Sequence, residues 1–283
     1  MEVRRFEQVD VFTAVAYRGN PVGVVLDGHG LTNDQMQQFT NWTNLSECTF
    51  VLPPTDPAAD YRARIFCPGR ELPFAGHPTL GTCHAWLRAG GTPKTADTIV
   101  QECGVGLVRI KRDSTFDRLA FAAPPLIKSG PLTEDEVVVI ARGLGVDRAD
   151  IVDHAWCDNG PNWRGVLLRS ATQVLALRPD PVVLADWDVG VVGLHDRPSA
   201  GEPDVEIRAF FPGNSGLTED PVTGSLNAAV AMWLIGNGTL PDRYLAAQGT
   251  AIARAGRVYV ERDGDEIWVG GASVSCVTGH VTI

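Results

Sequence analysis

Two stretches of this chain carry residue types suited to acid–base chemistry, and each follows the same short phrase. The first phrase is Arg64-Ile65-Phe66-Cys67-Pro68-Gly69, which leads into Ala75-Gly76-His77-Pro78-Thr79. The second, 144 positions later, is Arg208-Ala209-Phe210-Phe211-Pro212-Gly213, leading into Asp220-Pro221-Val222-Thr223-Gly224-Ser225. Each ends on a glycine-led helix start. Glycine lets a ligand approach the backbone, and the first N–H groups of a helix have no partner inside it. Two such ends facing one cleft would hold an anion. Glu47, in Asn44-Leu45-Ser46-Glu47-Cys48-Thr49-Phe50, stands where a predicted helix gives way to an apolar strand. A carboxylate at the buried start of a strand is unusual and would suit a group that takes and returns a proton. Asp220 comes four residues before Gly224, close enough to lie beside the second helix end. It would accept a hydrogen bond from His77 if the two halves meet.

Taken singly, each residue also has an ordinary structural reading. Ser225 is a good N-cap, so the second helix could cap itself, and His77 could fill a loop. Asp220 could be an exposed loop carboxylate, and Glu47 a rim glutamate in a salt bridge. The duplication favours chemistry, because matched helix ends in a two-lobed protein imply a shared cleft.

The elements that must position these residues alternate between short strands and a few helices. Strands are expected near 4–13, 22–26, 48–52, 62–66, 98–101, 106–111 and 118–122. Thr32-Asn33-Asp34-Gln35 is a capping box, opening a helix with Met36, Phe39 and Trp42 on one face. A helix follows over 79–87, its small residues suggesting enclosure by sheet, and Gly90-Gly91 stops it. Beyond Ala123-Pro124-Pro125, the best lobe boundary, Thr133-Glu134-Asp135-Glu136 caps another helix. Strands are expected at 164–168, 189–194 and 205–211. The helix after Gly224 is apolar nearly all round and therefore buried. A hairpin at 257–270 and one or two strands over 272–283 end the chain. This is an α+β pattern, not a doubly wound parallel sheet. It predicts an N-terminal lobe over 1–123, to which a strand at 272–283 is able to return, and a C-terminal lobe over 124–271.

Size and charge narrow the function. The chain has 283 residues, 44% apolar and 20% charged, with a net charge of -10. That charge argues against a nucleic-acid partner, yet helix ends can hold a small anion in an acidic protein. No apolar run is long enough to span a membrane, and the first residues lack a signal-peptide core, so a cytoplasmic location is expected. The six cysteines form no C-x-x-C and read as reduced thiols, with no metal site.

As an ordered set, four phrases resemble the PhzF-like isomerases of phenazine biosynthesis. They are Asp10-Val11-Phe12-Thr13 with Gly19-Asn20-Pro21-Val22; Asn44-Leu45-Ser46-Glu47-Cys48-Thr49-Phe50-Val51; Leu72-Pro73-Phe74-Ala75-Gly76-His77-Pro78-Thr79-Leu80-Gly81; and Glu219-Asp220-Pro221-Val222-Thr223-Gly224-Ser225-Leu226-Asn227. The resemblance covers essentially the whole chain. It implies a diaminopimelate-epimerase-like fold: two pseudo-symmetric lobes, each a mixed, largely antiparallel sheet or barrel around a central buried helix, with the site between them. It implies that Glu47 shuttles the proton, that His77 and Asp220 assist, and that Asn20, Ser46, Gly76, Gly224 and Ser225 bind substrate. It further implies a homodimer and no metal or organic cofactor. The substrate would be a small carboxylic acid of the trans-2,3-dihydro-3-hydroxyanthranilate type. The epimerases of this fold place a cysteine on each lobe. Here Ala75 holds the first such position and no cysteine stands near Asp220-Pro221, which argues against two-thiol racemisation. The alternatives are an epimerase or other acid–base enzyme on an amino-acid derivative, and a non-catalytic binder of small acids.

Overall fold

The chain opens as β1 (Val3–Val11), in which Val9 and Val11, two residues apart on one face, are fully buried. The computed structural model describes residues 1–113, 117–213 and 216–283. The chain divides into two compact units, Met1–Ala122 with Gly270–Ile283, and Ala123–Val269.

In the first unit β1 pairs antiparallel with β2 (Asn20–Val25). Helix α1 (Asn33–Thr43) then carries the chain to β3 (Glu47–Leu52), parallel to β2. Next comes β4 (Tyr61–Cys67), antiparallel to β3 and turned back at Gly69 (φ +90°) into β5 (Arg70–Leu72). Helix α2 (Gly76–Arg88) follows, then β6 (Thr98–Cys103) parallel to β4, and the antiparallel strands β7 (Gly106–Asp113) and β8 (Arg118–Ala122).

The second unit begins with α3 (Glu134–Leu144) and then repeats that order. Antiparallel β9 (Ile151–Trp156) and β10 (Arg164–Leu168) lead through α4 (Ala171–Ala176) to β11 (Val189–Leu194), parallel to β10. β12 (Val205–Gly213) is antiparallel to β11 and pairs with β13 (Gly216–Asp220). Helix α5 (Gly224–Gly236) follows, then β14 (Arg243–Gln248) parallel to β12, β15 (Gly256–Asp263) antiparallel to β14, and β16 (Glu266–Gly271). The last strand, β17 (Ser273–Thr282), pairs antiparallel with β1. The phrase repeated in the sequence is thus the strand before each hairpin. Even its ion pair recurs: Arg64 grips Glu71 through two hydrogen bonds, and Arg208 grips Glu219 the same way. The fold is α+β, mostly sheet with few helices. Among the described residues no helix is long and apolar enough to cross a membrane.

Both 13-residue helices are sunk in their units. On α2 every residue from Gly76 to Cys83 is buried, and the helix packs against β1, β2, β3 and β8. Gly81 makes that approach possible, since a Cβ there would lie 2.3 Å from Val22 Cγ1. On α5 nine residues are buried around the helix, as its lack of a polar face requires. Helix α1 has an ordinary amphipathic face, but Trp42 is not on it. Met36 and Thr40 are buried while Trp42 is 81% exposed. Trp42 stands six residues after Met36, about 240° round the axis, so an i, i+3, i+6 reading drifts off the face.

Candidate acid–base site

Three predicted residues meet in the first unit because of how its strands are joined. Asn44, in the left-handed conformation (φ 56°), ends α1, and the chain re-enters the sheet three residues later. Glu47 is therefore the first residue of β3, opposite Val22 of β2 and next to the strand that begins with Asn20. His77 is the second residue of α2. Its Nε2 lies 3.2 Å from Glu47 Oε2, and its Nδ1 lies 3.4 Å from the fully buried Asn20 Nδ2. The Asn20 amide and the Glu47 carboxylate thus flank the two ring nitrogens of His77. The Glu47–His77 contact is at ion-pair distance without hydrogen-bond alignment, and Glu47 Oε2 is buried with no hydrogen bond. One carboxylate oxygen thus sits uncommitted beside an oriented imidazole. Gly76 is buried at the first helical position, whereas Ser46 is exposed at the mouth of the turn.

The helix ends differ in a way that bears on anions. Helices α1, α3 and α4 are each capped by a side-chain oxygen, from Thr32, Thr133 and Ser170. Helices α2 and α5 are not. At α2 the N-cap is Ala75, which has no acceptor to offer. At α5 the N-cap is Thr223, an ordinary capping residue, but its hydroxyl is used elsewhere. It donates to Asp220 Oδ2 at 2.5 Å and accepts from Gln248 Nε2 at 2.9 Å. Ser225 is therefore not the N-cap; it lies in the first turn, where its Oγ accepts from Trp163 Nε1 at 3.0 Å. Asp220 is the last residue of β13, half-buried opposite Ala209, and not part of a free loop.

Each of these helices is also tied at its fourth residue to a fully buried glutamine on the strand that follows. Gln101 Nε2 donates to Thr79 Oγ1, and Asn227 Nδ2 donates to Gln248 Oε1. Gln248 further accepts from the Thr223 N–H and donates to the Asp220 carbonyl, so one side chain holds the approach to α5 together. Nothing in the sequence marked Gln248, since β14 was not expected and glutamine is rarely buried. Trp163, also unmarked, lies with Asn159 in the Gly- and Pro-bearing stretch before β10, where loop composition hid it.

The thiols nearby stay protonated near neutral pH. Burial pushes Cys48, next to Glu47, up to about 11, and Cys83 in α2 up to about 12. Among the described residues no group of three or more His, Cys, Asp or Glu is placed to hold a metal ion. The chemistry on offer in the first unit is proton transfer by carboxylate and imidazole at the uncapped start of α2.

Known proteins share this arrangement of chain. A family model described as phenazine biosynthesis-like protein matches residues 9–279. Antisense-enhancing sequence 1 of Schizosaccharomyces pombe is 35% identical over 99% of this chain and 99% of its own. The trans-2,3-dihydro-3-hydroxyanthranilate isomerase of Pseudomonas aeruginosa is 31% identical over 93% of this chain and 91% of its own. In fold, the crystal structure of a Bacillus anthracis phenazine biosynthesis protein of the PhzF family matches with a TM-score of 0.82 at 22% identity, over all of both chains.

Proposed function

The chain belongs to the phenazine biosynthesis-like protein family, and we propose on that basis that it is an isomerase moving a proton between carbons of a small carboxylic acid. The observation that carries the proposal is the uncommitted, buried Oε2 of Glu47, 3.2 Å from His77 Nε2. In this reading Glu47 takes a proton from one carbon, and the electron pair of that C–H bond spreads into the adjoining unsaturated system. The protonated carboxyl then returns the proton to another carbon. No oxidant or reductant enters, and the product is an isomer. His77 is the oriented partner that supports the changing charge on Glu47. Gly76 at the uncapped start of α2, and Gly224 and Ser225 at that of α5, are the residues assigned to substrate binding, since free N–H groups at a helix start favour an anion. Asp220 assists the transfer, and Asn20 and Ser46 complete the substrate-binding set.

The substrate class is a small ring or chain acid carrying an amino or hydroxyl group, as the Pseudomonas isomerase's substrate does. Two-thiol epimerisation fits less well, because Ala75 stands at the thiol position and the nearby thiols are held protonated. A homodimer is part of the same proposal, checked by light scattering at micromolar concentration.

The test is incubation of cyclic amino and hydroxy acids with the protein in D2O, followed by NMR. Movement of a double bond, with deuterium at one carbon or internal return of hydrogen, is expected. Inversion at a single carbon with no bond shift would replace the reading with epimerisation.

A further inference from the structure

Two side chains outside the reaction scheme close around Ser225. Trp163 Nε1 donates to Ser225 Oγ at 3.0 Å, and Asn159 Nδ2 donates to the Ser225 carbonyl at 2.9 Å. An indole N–H can only donate, and a backbone carbonyl can only accept. The first bond uses the Ser225 oxygen as acceptor, so its hydroxyl hydrogen remains to be donated. The second bond fixes the Asn159 amide, because only its NH2 end can face the carbonyl. Oδ1 is thereby turned elsewhere. It is shielded from solvent and has no hydrogen-bond partner among the described residues. A buried acceptor left without a donor costs free energy that a ligand N–H or O–H would recover.

The segment carrying both side chains is held in place. The Ile127 N–H donates to the Asp158 carbonyl, the Cys157 N–H donates to the Trp163 carbonyl, and Trp163 itself is 4% exposed.

We propose that Asn159 and Trp163 set the ligand specificity of this site. Trp163 is a positioning residue that holds the Ser225 hydroxyl as a donor to the ligand's carboxylate. Asn159 Oδ1 accepts from an amino or hydroxyl group on a neighbouring carbon of the same ligand. The site then selects acids with an adjacent N–H or O–H over bare carboxylates, since the bare acid leaves Oδ1 unpaired. This rests on the isomerase reading for placing the carboxylate at α5.

The experiment is calorimetric titration with two probes of the same ring and carboxylate, 2-aminobenzoate and benzoate. The parent protein is expected to bind the amino acid about 3- to 10-fold more tightly, one hydrogen bond's worth. In Asn159→Leu and Asn159→Ala that ratio falls to about one. In Trp163→Phe both probes weaken by a similar factor and the ratio survives. General damage to the fold would weaken both probes without changing their ratio in the Asn159 variants, so the ratio reports the specific contact. Survival of the ratio in both Asn159 variants overturns the proposal. Unchanged affinities in Trp163→Phe overturn it too, as does a parent protein that binds neither probe. Hydrogen exchange in D2O by the parent, with no Asn159 effect, sinks the specificity proposal alone. An intact ratio with no exchange sinks the isomerase reading alone.

Discussion

At the scale of single residues, a carboxylate and an imidazole 3.2 Å apart could trade the roles of base and support. What decides between them is how each is held. His77 Nδ1 lies 3.4 Å from the buried Asn20 amide, while Glu47 Oε2 is left with no hydrogen bond. Glu47→Gln keeps the shape and loses the base. Its turnover on an acid found to be a substrate is expected to fall by about 10²–10⁴-fold with little change in KM. His77→Ala should cost less; an equal loss would move the base to the imidazole. The thiols give a second expectation. A thiol pushed up to about 11 or 12 is a thiolate only above that range, so raising the pH from 7 to 9 leaves it neutral. Native alkylation with iodoacetamide at pH 7.5 should therefore spare Cys48, Cys83 and Cys157, read by peptide mass, and leave turnover intact. Residue types alone had marked Glu47 and His77 separately. Their meeting depends on the parallel β2–β3 pairing and on where α2 begins, which no local pattern encodes.

Elements explain which parts of the fold could be read in advance. Helices α1 and α3 announce themselves through capping boxes, and both boxes form. Helices α2 and α5 announce themselves by composition, but the diversion of the Thr223 hydroxyl to Asp220 and Gln248 depends on strands distant in sequence. Short elements such as β5, β13 and the six-residue α4 went unread, because three to six residues carry too little periodicity. Trp42 was misplaced for a related reason: three apolar residues at spacing three suggest a face that the helix does not keep. Packing of α2 makes a pair of glycine substitutions informative. Gly81→Ala gains helix propensity but puts a Cβ 2.3 Å from Val22 Cγ1, on a strand that cannot easily move. Overpacking should prevail, with a net loss of about 1–3 kcal/mol, seen as a lower thermal midpoint. Gly236→Ala, at the last turn of α5 with nothing within 4 Å, should instead be neutral or stabilising by up to about 1 kcal/mol. Equal effects at the two positions would contradict this account of α2.

For the whole molecule, the repeated order of elements has an uneven consequence. The second unit is one continuous segment, Ala123–Val269, and it contains its own buried cluster, with Val137, Ile140, Val166, Val191 and Phe210 among its members. The first unit is discontinuous, because β17 at the end of the chain returns to pair along the whole length of β1. The Pro-Pro step after Ala123 reads as a boundary from sequence, and a strand over 272–283 is expected to be able to return to the first lobe, but which strand it would meet is not legible there. Its partner lies some 270 positions away, and an alternating pattern says nothing of which strand it will meet. A fragment of residues 123–269 keeps every strand pair from β9 to β15 and should fold alone, with dispersed amide NMR signals and a cooperative melt. A fragment of residues 1–122 loses β17 and leaves β1 as an unpaired edge from Val3 to Val11. Such an edge invites association with other chains. This fragment should aggregate or stay unfolded, and adding a peptide of residues 270–283 should restore dispersed signals. A soluble, cooperatively folded 1–122 without that peptide would show that the closing strand is dispensable and that the first unit is held by α2 and its inner strands alone.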